Sequence, residues 1–259
     1  MNTRFRTTIV AVAAVSGIGV VAGGAAGPVQ AETPAVHNVV LVHGAYADGS
    51  GWRGVYDDLT ARGYRVTIVQ NPLTSLADDV AATKRVLDRQ DGPTILVGHS
   101  YGGTVITEAG VDPKVAGLVY VSGLAPDIGE STDDQFAEIP PPSAIVIDPQ
   151  ADGFAFINLE KFKDGFAGDT SDAEAAFLRD SQVPTALAAF ATEVSQAAWH
   201  DKPSWAVIAK QDQTIDPKLL RQTAQRIGAV SEEIDGSHVA FVTHPDQVAD
   251  VIVRAARGV

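Results

Sequence analysis

The stretch TILVGHSYGG, residues 94–103, decides the fold of this chain. Its first four residues read as a buried strand, and they run directly into the pattern Gly-x-Ser-x-Gly with helix-compatible sequence behind it. A strand that passes into a helix through this pattern is a nucleophile elbow, in which small residues allow a tight turn that lifts the serine hydroxyl above the sheet edge. The pattern alone is weak evidence, because short motifs occur by chance. Ser100 is therefore a candidate nucleophile that needs partners elsewhere in the chain.

Short β-favouring runs alternate with amphipathic stretches along most of the chain. This alternation predicts an α/β fold with a mostly parallel sheet of about six strands flanked by helices. The runs are nearly all apolar, as expected for strands that are buried on both faces. The predicted strands are Asn38–Val42, Tyr64–Gln70, Thr94–Gly98, Val115–Val121, Ser204–Ala209 and Ala229–Ile234.

The alternation stops between Leu124 and Pro203, where about 80 residues intervene, too many for a plain crossover. We interpret residues 125–203, approximately, as a mainly helical cap inserted over the carboxyl edge of the sheet. The cap then belongs to a single domain of residues 32–259. Inside it we expect a small hairpin, residues 144–147 with 154–159, and helical structure from about residue 173 to 198.

The first 31 residues have the pattern of a secretory signal peptide. Arg4 and Arg6 form a basic start, residues 8–27 are small and apolar, and Val29-Gln30-Ala31 places small residues where a signal peptidase reads. The alternative is an uncleaved anchor, since about 19 weakly apolar residues could just span a bilayer. We expect cleavage and secretion to the extracellular space, with no stable membrane association afterwards.

Composition narrows the possible partners. The formal net charge is −13, so the protein repels nucleic acid and anionic membrane surfaces, and we expect no nucleic-acid partner. The absence of cysteine excludes disulfides, thiol chemistry and thiolate metal sites. No pair of histidines or carboxylates has the spacing of metal ligands, and no dinucleotide or phosphate-loop pattern is present. We therefore expect neither a metal nor a cofactor. The sequence does not determine the oligomeric state.

A serine nucleophile needs a base, and six histidines are available. His238 follows the last predicted strand in a short turn, at the sheet edge where Ser100 should emerge. It is our candidate for the base, the alternative being a surface-loop histidine without a chemical role. The remaining histidines lie at strand ends, in the elbow or in the links before other elements: His37, His43, His99, His200 and His244.

The base in turn needs an acid that orients it. Asp212 comes shortly after the strand that ends at Ala209, and a carboxylate there can project towards His238. Asp216 is a rival, although its place before Pro217 also suits a helix N-cap. Asp235 is close to the histidine in sequence but reads as a turn residue. The order Ser100, Asp212, His238 is the one that nucleophile-elbow folds use.

The tetrahedral intermediate of acyl transfer needs two fixed N–H donors. One should be the backbone N–H of Tyr101, directly after the nucleophile. The other should come from the loop after the first strand, and we assign it to Ala45, because Gly44 lets the backbone turn there without a Cβ clash. Tyr46 in the same loop is a candidate substrate contact.

Together these motifs resemble the α/β-hydrolase superfamily over essentially all of residues 36–258. Within it the chain is similar to the branch of plant methylesterases, hydroxynitrile lyases and small bacterial carboxylesterases. The resemblance implies an ester-hydrolysing enzyme that works through an acyl-serine and needs no cofactor. It is carried by residues 42–46, 49–52, 97–103, 203–205, 211–212 and 236–238.

The sequence departs from the hydroxynitrile lyases of this branch at Val239. Those enzymes have a lysine directly after the catalytic histidine, and valine offers no charge to a cyanide leaving group. We therefore expect a secreted carboxylesterase acting on small to medium esters with apolar groups. Two alternatives on the same fold are a cofactor-free haloperoxidase or perhydrolase, and a non-catalytic protein that binds a small ligand.

Seven of the nine phenylalanines fall in the predicted cap, together with Trp199. A small cap needs a core of its own, which explains some of these rings. Others could line an apolar pocket above Ser100, the usual setting of a ligand site. Trp199 is our cap candidate for a substrate contact. The phenylalanines are Phe136, Phe154, Phe156, Phe162, Phe166, Phe177 and Phe190.

Overall fold

The structure is a computed structural model that describes residues 36–259. These residues belong to one compact unit. The predicted signal peptide, residues 1–31, lies outside the described residues. No helix in the described part combines the length and apolar character of a membrane span.

The described residues contain nine strands in two sheets. A six-stranded sheet in the order β2-β1-β3-β4-β8-β9 has parallel pairing throughout, which confirms the predicted sheet. A three-stranded antiparallel sheet, β5-β6-β7, stands apart from it. The strands are β1 Asn38–Val42, β2 Arg65–Val69, β3 Thr94–His99, β4 Val115–Val121, β5 Ile147–Pro149, β6 Phe154–Ile157, β7 Thr185–Ala186, β8 Ser204–Ala209 and β9 Val230–Ile234.

Ten α-helices accompany the strands in this part of the chain. Helices α1 and α10 pack together, with α10 also on β3, β4 and β8, while α2 and α3 form a second pair on β1. Helices α8 and α10 begin with proline, whose missing N–H costs nothing in the first turn. The helices are α1 Arg53–Ala61, α2 Leu76–Asp88, α3 Gly102–Ala109, α4 Thr132–Glu138, α5 Phe162–Phe166, α6 Asp172–Asp180, α7 Leu187–Phe190, α8 Pro217–Arg226, α9 Ala240–Thr243 and α10 Pro245–Gly258.

The core of the large sheet explains why its strands read as apolar runs. All five residues of β1 and all six of β3 are buried, because both strands lie inside the sheet with helices packed on them. The edge strand β9 is different, since three of its five residues are exposed. Strands β1, β3 and β8 are therefore buried in the sheet. The loops at their carboxyl ends carry the candidate residues Ala45, Ser100 and Asp212.

The segment between β4 and β8 contains helices α4 to α7 and the small sheet. The predicted hairpin exists with shifted bounds, as β5 and β6, and gains a third strand that the sequence reading missed. The prediction of helical structure from about residue 173 to 198 is wrong. Helix α6 ends at Asp180, and Pro184 removes a backbone donor and disfavours helix at the residue before it. Thr185 and Ala186 then pair with β6 instead.

Candidate active site

Ser100 lies in the tight turn between β3 and α3. Its backbone has φ of 55°, the left-handed region that a residue with a side chain seldom adopts. The turn is held by the Ser100 N–H, which donates to the carbonyl of Val121 at 3.1 Å, and by its own carbonyl, which accepts from Gly103 at 2.8 Å. A Cβ on Gly98 would lie 2.4 Å from the Gly102 carbonyl oxygen, so the motif glycine is required by close backbone approach. Strain of this kind is typical of functional turns.

His238 and Asp212 form a hydrogen-bonded pair below the surface. The His238 Nδ1–H donates to Asp212 Oδ2 at 2.7 Å, and both side chains are fully buried. The other Asp212 oxygen accepts from the backbone N–H groups of Thr214 and Ile215, each at 2.8 Å. This bonding fixes the imidazole in the tautomer whose Nε2 is free to accept a proton. Nε2 is buried and has no hydrogen-bond partner among the described residues.

The two rival acids have other partners. Asp216 accepts from the backbone N–H of Lys218 at 2.8 Å and caps helix α8, as its position before proline suggested. Asp235 forms an ion pair with Lys210 at 2.7 Å. Neither carboxylate bonds to His238, and the structure thus brings together the histidine and the acid that the sequence favoured.

His99 connects Ser100 with His238. It precedes the serine in the chain, is completely buried, and donates from Nε2 to the backbone carbonyl of His238 at 3.0 Å. The two imidazole rings lie 4.6 Å apart. Burial lowers the pKa of His99 well below its usual value, so it stays neutral. The described residues show no hydrogen bond between the Ser100 hydroxyl and His238 Nε2, although the His238 ring lies beside that of His99, the residue that precedes Ser100.

The loop after β1 passes directly beside the nucleophile. A Cβ placed on Gly44 would lie 2.8 Å from the Cβ of Ser100, a distance that no side chain tolerates. The N–H groups of Ala45 and Tyr101 donate to no acceptor within residues 36–259. The neighbouring N–H of Tyr46, by contrast, donates to Thr185 Oγ1 at 3.0 Å. Ala45 and Tyr101 therefore retain two backbone donors, as an oxyanion hole requires.

His43 and Asn71 hold this loop, a role that the sequence reading missed. The backbone N–H of Asn71 donates to His43 Nε2 at 2.9 Å, and the Asn71 side-chain amide donates to the His43 carbonyl at 3.0 Å. The Nδ1–H of His43 therefore donates to the Gly44 carbonyl, also at 2.9 Å. Burial lowers the pKa of His43, which keeps the ring neutral and both contacts in place. The signal was a polar residue shortly after β2, at Asn71.

A cavity of about 410 Å³ opens above Ser100. Its lining is mostly apolar and aromatic, with contributions from the β1 loop and from the segment between β4 and β8. Phe136, Phe166 and Phe190 are among the lining residues, whereas Phe162 is buried elsewhere and Phe177 is 53% exposed. The cap phenylalanines thus divide among the cavity, the core and the exposed surface. The remaining lining residues are Ala45, Tyr46, Ser100, Asp133, Pro141, Ile145, Ile147, Leu187 and Thr214.

The two predicted substrate contacts have different positions. Tyr46 lines the cavity and stacks on Phe190, with ring centroids 6.1 Å apart. Trp199 lies outside it: its indole N–H donates to the Pro126 carbonyl at 3.1 Å, and Arg226 covers its ring. The interpretation of Trp199 as a substrate contact is therefore corrected to a packing role. Its sequence position in the cap gave no information about which way the ring faces.

Asp169 ties the segment between β4 and β8 to the loop that carries His238. It accepts hydrogen bonds from the hydroxyls of Ser237 and Thr243, the latter at 2.7 Å. Burial opposes ionisation, but these hydrogen bonds hold the pKa of Asp169 below its usual value. The residue before the candidate base is thereby anchored to the cap. No cluster of three or more His, Asp or Glu side chains in the described part of the chain could hold a metal ion.

Comparison with known proteins identifies the family of this chain. The sequence model of the alpha/beta hydrolase family matches residues 39–251. A pyrethroid hydrolase from Sphingobium wenxiniae is 29% identical over 247 residues, which cover 84% of this chain and 86% of that protein. A carbendazim-hydrolysing esterase from a Nocardioides species is 34% identical over 108 residues, 36% of this chain and 45% of the esterase.

Solved structures share the fold at lower sequence identity. A crystal structure of a pyrethroid hydrolase superimposes with a TM-score of 0.74 at 23% identity, covering 85% of this chain and 98% of that one. Polyneuridine aldehyde esterase superimposes with a TM-score of 0.73 at 18% identity, again covering 85% and 98%. At these identities the structures establish the shared architecture.

Proposed function

Because this chain belongs to the alpha/beta hydrolase family, and is a hydrolase like its curated relatives, we propose that it is a serine carboxylesterase. In this proposal Ser100 is the nucleophile, His238 the general base and Asp212 the orienting acid. The observation that carries it is the buried 2.7 Å hydrogen bond from His238 to Asp212, which leaves Nε2 without a partner close to the elbow.

Acylation uses these groups in sequence. The Ser100 oxygen attacks the ester carbonyl carbon while His238 Nε2 takes the hydroxyl proton, and Asp212 stabilises the resulting imidazolium. The carbonyl oxygen becomes an oxyanion that accepts hydrogen bonds from the N–H groups of Ala45 and Tyr101, each of which contributes about 3 kcal/mol. Catalytic hydrogen bonds often tighten in the substrate complex, so we expect the Ser100–His238 contact to form as the ester enters.

The intermediate then collapses. The ester C–O bond breaks, His238 returns its proton to the departing alkoxide, and an alcohol leaves behind an acyl-serine. Water repeats the same steps in deacylation: His238 removes a proton from it, the hydroxyl adds to the acyl carbon, and Ser100 leaves with that proton. The products are one alcohol and one carboxylic acid, and Asp212 remains ionised throughout.

The cavity supports substrates of small to medium size with apolar groups. A volume of about 410 Å³ lies in the range of small-molecule sites, and its lining is dominated by aromatic and aliphatic side chains. Two relatives are named for hydrolysing pyrethroids and carbendazim, which supports apolar, aromatic esters or carbamates as the substrate class. Because no lysine, arginine or histidine is among the described residues that line the cavity, we expect an ester without negative charge on its acyl and leaving groups.

Hydrolysis of short p-nitrophenyl acyl esters tests the proposal. We expect the wild type to release p-nitrophenolate, and Ser100→Ala to lose at least about 10³-fold in kcat while remaining folded. Ser231→Ala is a matched control, because Ser231 is exposed on β9. Absence of turnover by the wild type, or full activity of Ser100→Ala, contradicts the esterase. A non-catalytic receptor would keep its ligand affinity in Ser100→Ala and show no turnover in either form.

The export of the protein is a separate proposal, which rests on the sequence pattern of residues 1–31. Expression of the full chain should yield protein in the medium whose N-terminus follows Ala31. N-terminal mass spectrometry checks this. Intact residues 1–31 on membrane-associated protein would favour the anchor instead.

A further inference from the structure

The cavity above Ser100 contains a charge that esterase chemistry does not use. Of the described residues that line it, Asp133 alone is charged. Four aromatic rings share the lining with this carboxylate, those of Tyr46, Phe136, Phe166 and Phe190. Lysine, arginine and histidine are absent from that set.

Asp133 reaches the cavity from the first turn of helix α4. It shares one helix face with Phe136, three residues further on, and both line the cavity. The adjacent Asp134 turns away, because its carboxylate accepts from the N–H and hydroxyl of Ser131 in the capping box. Helix capping is therefore assigned to Asp134, and Asp133 has no such task.

No cation within residues 36–259 compensates Asp133. Asp133 is exposed at the rim of the cavity, and its partial desolvation, followed by the charge of Asp134, raises the pKa of its carboxyl, with no basic side chain acting in the opposite direction. Tyr46, on the β1 loop, is close enough for the Asp133 charge to contribute, after burial, to the raised pKa of its phenol. The charge of Asp133 therefore acts on Tyr46, which lines the same cavity.

A carboxylate and several aromatic rings that line one cavity are a combination that binds organic ammonium groups. Ring quadrupoles attract a cation within about 6 Å, and the effect grows when the cation is partly desolvated. The same negative charge repels an anionic substrate. Resting on the esterase function proposed above, we propose that Asp133 and the neighbouring rings form a subsite for a positively charged amine, so that the enzyme prefers esters carrying an ammonium group.

Three thioesters of one acyl chain test this selectivity. Butyrylthiocholine carries a quaternary ammonium, the 3,3-dimethylbutyl thioester is its uncharged isostere, and the 2-sulfonatoethyl thioester is anionic. Ellman's reagent measures the released thiol without background, because the protein has no cysteine. The measured quantities are the ratios of kcat/KM between substrates, determined within each variant.

We expect the wild type to prefer the cation over the uncharged isostere, and to prefer that isostere over the anion. In Asp133→Asn the ratio of kcat/KM for the cation to that for the isostere should fall about fivefold, and the ratio for the anion to the isostere should rise by a similar factor. This is the size expected when one charge is removed and solvent partly screens its interaction with the substrate. Glu138→Gln removes the same charge from an exposed position of α4 that does not line the cavity. It should leave both ratios within twofold. Unchanged ratios in Asp133→Asn, or equal changes in both variants, overturn the proposal.

A binding measurement separates this inference from the esterase function. Phenyltrimethylammonium should bind Ser100→Ala with a dissociation constant about fivefold lower than it binds the Ser100→Ala, Asp133→Asn double variant, as measured by calorimetry. This result supports the subsite even if no thioester is turned over, in which case the esterase proposal alone fails. Equal affinities of the two variants overturn the subsite whether or not the esters are hydrolysed.

Discussion

The phenol of Tyr101 donates a 3.0 Å hydrogen bond to the buried carboxylate of Asp79 on helix α2. Asp79 also accepts a hydrogen bond from the backbone N–H of Leu73 at 2.8 Å. Leu73 has a φ of 57°, in the left-handed region. The residue after the candidate nucleophile is therefore fixed through its side chain to a neighbouring helix. Burial raises the pKa of the Asp79 carboxyl to about 6, and the two hydrogen bonds lower it by less.

This pKa predicts a pH-dependent loss of stability. Asp79 is protonated in both states below about pH 3, but as the pH rises towards 6 the carboxyl of the unfolded chain ionises first, so the folded state loses stability relative to the unfolded state. Between pH 5 and 8 the loss should amount to about 1 kcal/mol. The Asp79→Asn variant lacks the titrating carboxyl and so loses this part of the pH dependence. The free energy of unfolding of the variant should therefore fall less from pH 5 to 8 than that of the wild type.

Urea unfolding at pH 5 and pH 8 measures the effect. Asp88→Asn is a matched control, because Asp88 is exposed at the end of the same helix. It should follow the wild-type pH dependence. Parallel pH dependence of Asp79→Asn and the wild type would show that Asp79 does not titrate in this range.

Replacement of the orienting acid should affect catalysis far more than folding. In Asp212→Asn the side-chain oxygen can still accept hydrogen bonds from the N–H groups of Thr214 and Ile215. The side-chain NH₂ then faces His238 Nδ1, which must accept rather than donate, so the proton of the neutral ring moves to Nε2 and the base is lost. We expect kcat for a p-nitrophenyl ester to fall about 10³- to 10⁴-fold, as in serine proteases. Asp216→Asn makes the same chemical change at the α8 cap, where asparagine caps equally well. It should keep kcat within about twofold, and the opposite outcome would reassign the acid.

The backbone of Ser100 should make the wild type less stable than it could be. A residue with a Cβ in the left-handed region costs about 1 kcal/mol, and glycine avoids this cost. Ser100→Gly should therefore unfold at a higher urea concentration than Ser100→Ala, with a difference of about 1 kcal/mol. Equal stability of the two variants would mean that the turn stores no strain.

The loop beside the nucleophile should not accept a side chain. In Gly44→Ala the new Cβ would meet the Cβ of Ser100 at 2.8 Å and the His99 carbonyl at 2.9 Å, so the Ala45 N–H must shift. We expect kcat to fall by about 10²-fold or more, the usual cost of one misplaced oxyanion donor. Gly92→Ala, whose nearest atom lies 3.7 Å away, should have wild-type kcat. Comparable kcat values in the two variants would show that Gly44 is not needed to position the Ala45 N–H.

The sheet could be predicted because its signals are local. Strands β1, β4 and β8 have the predicted bounds, since apolar runs bounded by turn residues are visible in a short window. The elbow could be predicted for the same reason, because its glycines are needed for a turn formed within five residues. The assignment of Ser100, His238 and Asp212 as a triad stays a prediction, which the variants above test.

Contacts between distant parts of the chain could not be predicted. Asp79 and Tyr101 are 22 residues apart, and Ser237 lies 68 residues from Asp169. No periodicity encodes such pairs, because they depend on how the helices and the cap settle on the sheet. Trp199 shows the same limit: composition placed an aromatic residue in the cap, but its indole N–H bonds to the Pro126 carbonyl and the residue is not among those that line the cavity.

A fluorophosphonate ester tests most directly whether the Ser100 oxygen is activated by its surroundings. We predict that the wild type gains the mass of one phosphonyl group, that tandem mass spectrometry locates it on Ser100, and that the Ser100→Ala and His238→Ala variants remain unmodified. An unmodified wild type, or an adduct on any other residue, would contradict the central claim.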